Sequence, residues 1–271
     1  MVTAPDLAFV FVAGFVTALA TGIGALPFFL VEDISDRWNV VLWGLASGIM
    51  VSASLFGLLF EGVGNADGRI DHLLVVVGMG AGVLLVVVGH EVVSGAEIHP
   101  KTYEEADVKK LVLILGILTI HSFPEGIAVG VSFADLNLAG VDGIPLFGAT
   151  VPVLAVFMTV AISIHNVPEG VAISIPLRAM GVSEPRMVWW AVFSSLPQPI
   201  GAVVAFYFVR AAREFLPFGF GFAAGAMIYL VATEFVPEAL KAGESVPGGG
   251  KRELVGGVVA GFILMVPLAV I

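Results

Sequence analysis

The sequence predicts an all-α integral membrane protein with eight transmembrane helices, and three observations predict it. Of 271 residues, 58% are hydrophobic and 13% charged, against roughly half apolar and about a quarter charged in a soluble domain. Apolar runs long enough to cross about 30 Å of hydrocarbon, ~20 residues each, recur along the chain. The runs lack the strict alternation of barrel strands, so their backbone amides, which find no water in lipid, must be satisfied within helices.

The runs fall at 7–31, 38–61, 72–94, 109–132, 148–177, 186–209, 216–240 and 253–271. The first follows Met-Val-Thr-Ala-Pro-Asp, with no Lys or Arg before Arg37, so it is expected to be a retained span rather than a secretory leader. Spans two, three and seven carry Gly44 with Gly48, Gly78 with Gly82, and Gly221 with Gly225, a spacing that lets helices approach closely. The longest polar connection, 94–107, joins spans three and four. The short connections predict one transmembrane domain over 1–271.

An even number of spans puts both termini on one face. With the N-terminus outside, the inner connections carry Arg37, Lys101, Lys109, Lys110, Arg178, Arg186, Lys241, Lys251 and Arg252, and the outer ones Arg69, Arg210 and Arg213. This bias predicts that both termini lie outside a multi-pass protein of the cell membrane. The formal charge of -10 resides in the connections and a few buried carboxylates rather than in a tail, which speaks against nucleic acid as a partner. No cysteine is present. Disulfides and thiolate metal sites are therefore excluded, and any metal must be held by nitrogen and oxygen.

Two matched motifs carry the chemistry. Span four reads His121-Ser122-Phe123-Pro124-Glu125-Gly126 and span five His165-Asn166-Val167-Pro168-Glu169-Gly170. Helical residues four apart stack with Cβ atoms about 5 to 6 Å apart, so each span presents one imidazole and one carboxylate on one face. Proline frees the carbonyl four residues back, here Ile120 and Ile164, and such broken helices at mid-membrane often mark a transport site. Glycine after the Glu would let a neighbouring helix or a hydrated ion come close. A carboxylate at the bilayer centre costs at least ~2.5 kcal/mol, and this chain places two. Facing one another, two His and two Glu give the four donors that suit tetrahedral zinc and tolerate iron(II), manganese or cadmium. Reading them as polar cement between two helices leaves the repeated proline unexplained.

Paired His-x-x-Pro-Glu-Gly motifs on the fourth and fifth of eight spans resemble the ZIP (Zrt/Irt-like) metal transporters, and most of all their bacterial and archaeal branch. The resemblance covers essentially the whole chain: span count, outside termini, the long connection after span three, and Ser194-Ser195-Leu196-Pro197-Gln198-Pro199-Ile200-Gly201 in span six. It implies a 3+2+3 arrangement in which proline-kinked helices four and five line the metal pathway. It also implies a first metal site of His121, Glu125, His165 and Glu169. The family's second site usually adds an Asn, a polar residue and a Glu. The matching positions here are Ser122, Asn166 and Gln198, so one carboxylate is missing and one amide has become a hydroxyl. One strong site and one weak stepping point are therefore expected. Gln198 either lends a neutral oxygen to the cation or hydrogen-bonds a broken helix.

The resemblance thus implies uptake toward the cytoplasm of a divalent transition metal as transported substrate, with zinc ahead of cadmium, iron(II) and manganese. No organic cofactor is implied. The partners are the metal ions and the lipid bilayer, and a homodimer is compatible with the sequence. Glu234 and Glu238 either line the exit or meet water. Glu61 either attracts cations or ends a helix, and His90, Glu91, Glu97 and His99 surround the start of the long connection. The alternative from another class is an intramembrane zinc-dependent hydrolase, whose usual His-Glu-x-x-His run is absent from this sequence. A proton-coupled solute carrier would want a Lys or Arg beside the repeats, and none is there.

Overall fold

A computed structural model describes residues 2–269 apart from 32, 65, 67, 95–115, 117, 118, 120, 139 and 142. Helix α1 (Ala4–Ile23) starts at a capping box. Thr3 accepts from the Asp6 amide at 3.3 Å, and the Asp6 carboxylate accepts from the Thr3 amide at 3.0 Å and its hydroxyl at 2.7 Å. This satisfies amides that the first helical turn leaves without partners. A 3-10 turn, Leu26–Phe29, comes next. Helix α2 (Asp36–Ser52), capped by Ser35, passes through a π-helical turn, Ala53–Leu59, into α3 (Phe60–Gly64). Beyond it lie α4 (Arg69–Ser94) and α5, helical over 121–132.

An antiparallel hairpin then pairs β1 (Gly143–Leu146) with β2 (Ala149–Pro152), setting Ile144 opposite Val151. The long helix α6 (Val153–Ala179) contains Pro168 and Pro176. Helices α7 (Glu184–Ser194) and α8 (Pro197–Ala211) form one span, interrupted at 195–196. After a 3-10 turn at Arg213–Phe215, α9 (Leu216–Leu230) runs through a second π-helical turn, Val231–Phe235, into α10 (Val236–Ala242). The last helix is α11 (Lys251–Ala269).

Among the described residues, six helical stretches are long and apolar enough to cross a membrane: Ala4–Phe29, Asp36–Gly64, Arg69–Val92, Val153–Ala179, Glu184–Ala211 and Arg213–Ala242. Of the other two expected spans, 109–132 falls partly outside the described residues. The other is α11, whose first turn holds Lys251, Arg252 and Glu253. Span five corrects the sequence reading: its helix starts at Val153, not 148, because the hairpin occupies the residues before it. Phe147 and Gly148 take positive φ of 48° and 82°, the two-residue turn that matches strand twist. Pro152 is extended, with ψ of 141°, and the helix begins after it.

The small-residue pairs act as the sequence predicted. A Cβ on Gly48 would stand 2.1 Å from the Val258 carbonyl oxygen, and one on Gly82 2.0 Å from that of Phe222. Gly44 meets Leu254 of α11, Gly78 meets Phe218 of α9, and Gly221 and Gly225 meet Val75 and Met79 of α4 in the same way. Backbones therefore touch along the α2–α11 and α4–α9 seams, where side chains would hold them apart.

One end of the bundle is clasped by polar groups. Asn137, at φ 57°, donates to Asp6 Oδ1 at 2.8 Å and accepts from the Thr150 amide at 2.8 Å. Arg210 donates to the carbonyls of Ala134 and Leu136 at 3.1 and 2.9 Å, and Arg213 pairs with Asp135 at 2.6 Å. The start of α1, the turn after α5, the hairpin and the end of α8 are thus tied together.

The seams predict a sharp contrast within α4. Gly80, two residues from Gly82, has nothing within 4 Å of its Cβ position. Gly82→Ala should lower the unfolding temperature of detergent-purified protein, a loss of about 1 to 3 kcal/mol from overpacking. Gly80→Ala should leave it unchanged or slightly raised, and equal effects would contradict the seam.

Candidate metal centre

The residues of the two matched motifs that the structure describes lie inside the bundle. Glu125 comes from α5, and His165 and Glu169 come from α6 one helical turn apart. All three are buried. His165 Nε2 is 3.3 Å from Glu125 Oε1 and 3.9 Å from Glu169 Oε2. One ligand atom from each residue lies within 4.8 Å of the other two. The i, i+4 spacing within α6 and the approach of α5 build this triad.

Its electrostatics are unusual for a dry interior. Glu125 Oε1, both oxygens of Glu169 and both ring nitrogens of His165 are buried without a hydrogen bond. Buried polar atoms are nearly always satisfied, and leaving a charged one unpaired is expensive. Two carboxylates and an imidazole converging on one point form a donor set for a divalent cation.

A second layer fixes Glu125. Its other oxygen accepts from Gln198 Nε2 at 2.5 Å. Gln198 Oε1 accepts from the Thr17 hydroxyl at 2.6 Å and from Asn166 Nδ2 at 3.1 Å. Asn166 also donates to the Thr17 carbonyl at 2.7 Å. Residues from α1, α6 and α8 thereby hold a carboxylate of α5. The Gln198 oxygen thus serves two donors, and its nitrogen faces Glu125. The oxygen of Asn166 has no hydrogen bond and is an available donor atom.

Other expected residues divide. His121 is buried with Nδ1 unpartnered, but it is not part of the close triad. Ser122 is buried as well. The glycines after the glutamates admit helices: a Cβ on Gly126 would meet the Gln198 carbonyl oxygen at 2.2 Å, and one on Gly170 that of Thr21 at 1.8 Å. Glu234 Oε1 pairs with His90 Nδ1 at 2.9 Å, and Glu238 pairs with Lys241 at 3.5 Å. Glu61 is partly buried and Glu91 is exposed. Glu97, His99, Lys101, Lys109, Lys110 and the Ile120 carbonyl lie outside the described residues.

Sequence reasoning missed Thr17. Its signal was present, since Thr17 and Thr21 stand four apart in an apolar span and so share a face. Thr21 meets Ser195 at 2.7 Å. Also missed was Phe235, whose ring lies 5.3 Å from that of His165.

The chain is similar to known proteins. The family model described as ZIP zinc transporter matches residues 96–269. The zinc transporter GufA of Myxococcus xanthus is 33% identical over 269 residues, covering 95% of this chain and 96% of its own. The zinc transporter ZIPB of Bordetella bronchiseptica is 34% identical over 263 residues, covering 91% of this chain and 75% of its own. An Arabidopsis thaliana relative, also named for zinc transport, is 41% identical over 225 residues. These cover 83% of this chain and 33% of the plant protein, so this chain spans about a third of that relative's length.

Proposed function

This chain belongs to the ZIP zinc transporter family, and from that premise we propose that it moves zinc across the membrane through Glu125, His165 and Glu169. It is a multi-pass membrane transporter of divalent metal rather than an enzyme. The hydrolase alternative is set aside: the family is one of transporters, and both glutamates belong to the donor set, which leaves no base to activate water.

The observation that carries the residue assignment is the meeting, in the buried interior, of two glutamates and one histidine whose inward atoms lack hydrogen bonds. Two carboxylates together in low dielectric need a compensating positive charge, either protons or a cation. A dication with nitrogen and oxygen ligands supplies that charge, and Asn166 or His121 completes four-coordination for zinc. Gln198 is the positioning residue that holds Glu125. Because Gln198 is neutral and already hydrogen-bonded, one ion binds tightly and a second only weakly. Eight spans in a 3+2+3 arrangement, bent at Pro124 and Pro168, would carry the site. Both termini would lie outside the cell membrane, and release would be toward the 94–107 connection.

Metal flux into proteoliposomes tests this reading. Glu125→Ala and His165→Ala should each cut zinc uptake by about tenfold or more, the cost of about 1.4 kcal/mol of binding, with His121→Ala milder. Uptake by the parent should fall from neutral to mildly acidic medium, because protons compete for these ligands. Parent-like flux in either of the first two variants would refute the assignment. A second measurement is metal stoichiometry by calorimetry: the parent should bind one tight zinc, and Gln198→Glu, which restores a carboxylate, should bind two.

A further inference from the structure

Phe235 is wholly buried and carries no ligand atom. Yet its ring lies nearly parallel to the His165 imidazole, 12° between planes and 5.3 Å between centroids. The His121 ring is 6.4 Å away, and Trp43 of α2 meets Phe235 edge-on at 5.1 Å and 62°. One phenyl group from span seven thus touches rings from α2, α5 and α6.

The preceding residue, Glu234, leads elsewhere. It pairs with His90, whose side chain is 43% exposed, four residues before the end of α4. Phe235 thus packs on the donor triad, while the residue before it reaches the half-exposed His90 near the end of α4. An ion stripped of water finds no ligand on the phenyl ring, so passage this way requires the ring to move.

The backbone supplies a means. Phe235 is the last residue of the π-helical turn Val231–Phe235. Such a turn holds one residue more than an α-turn and is frequent at functional sites. Redistributing that extra residue shifts the register of α10 by one position, about 100° of rotation about the axis. The ring can then leave His165 while the span stays continuous.

We infer that Phe235 is a gate on the exit side of the metal centre, hinged on its own π-helical turn. The proposal rests on the reading of Glu125, His165 and Glu169 as that centre, and its test does not require metal. The chain has no cysteine, so His165→Cys places a single thiol where Phe235 stacks. Labelling with a membrane-impermeant maleimide is compared in sealed vesicles of each orientation, with Phe235 intact, Phe235→Ala or Phe235→Leu.

With the gate removed by Phe235→Ala, labelling from the face of the 94–107 connection should rise about tenfold, since opening no longer limits access, while labelling from the opposite face stays constant. Phe235→Leu, which keeps the site filled, should fall between and covers the case that the alanine variant does not fold. Equal labelling with and without Phe235, or an equal rise from both faces, would overturn the gate. Failure of the metal reading is distinguishable: calorimetry would then find no tight zinc on the parent chain, whatever the labelling.

Discussion

Everything at the centre of this protein depends on burying two carboxylates, Glu125 and Glu169, against one imidazole with inward oxygens that make no hydrogen bond. Such a pair is tolerable only if the surrounding helices hold it in place and its charge is compensated, by protons or by a cation. The fold answers the first need through Gln198, Asn166 and Thr17, which draw on three further helices to orient one carboxylate. It leaves the second open, in that Glu169 has neither oxygen hydrogen-bonded.

The same economy explains why a neutral amide at position 198 matters. A glutamate there would bring a third negative charge against Glu125 and demand a second cation to balance it. Glutamine instead offers a nitrogen to Glu125 and an oxygen to two donors. The ring of Phe235 lies nearly parallel to the His165 imidazole.

Much of this was legible in the residues. The duplicated His-x-x-Pro-Glu-Gly run is a strong signal because spacing alone fixes its helix face, and the triad draws one or two members from each copy. The glycine pairs were legible for the same reason: spacing on a helix is geometry. The hairpin was harder to see, because residues 148–152, which include its second strand, read as the apolar start of span five. The π-helical turns left no pattern at all, since a single extra residue in an apolar run shifts no hydrophobic period visibly. Phe235 looked like one more apolar residue until its partners were known. The place of His121 also depended on tertiary approach, because i, i+4 spacing aligns a side chain with its own helix, not with the next one.

The glycine seams also govern where this sequence is free to change. On α4, positions facing α9 have no room even for a methyl group, whereas Gly80 has an open position between two such glycines. Tolerance to substitution along that helix is therefore striped at the helical repeat. A drift in composition on its lipid side costs nothing, while the opposite stripe is locked residue by residue to the backbone of its neighbour.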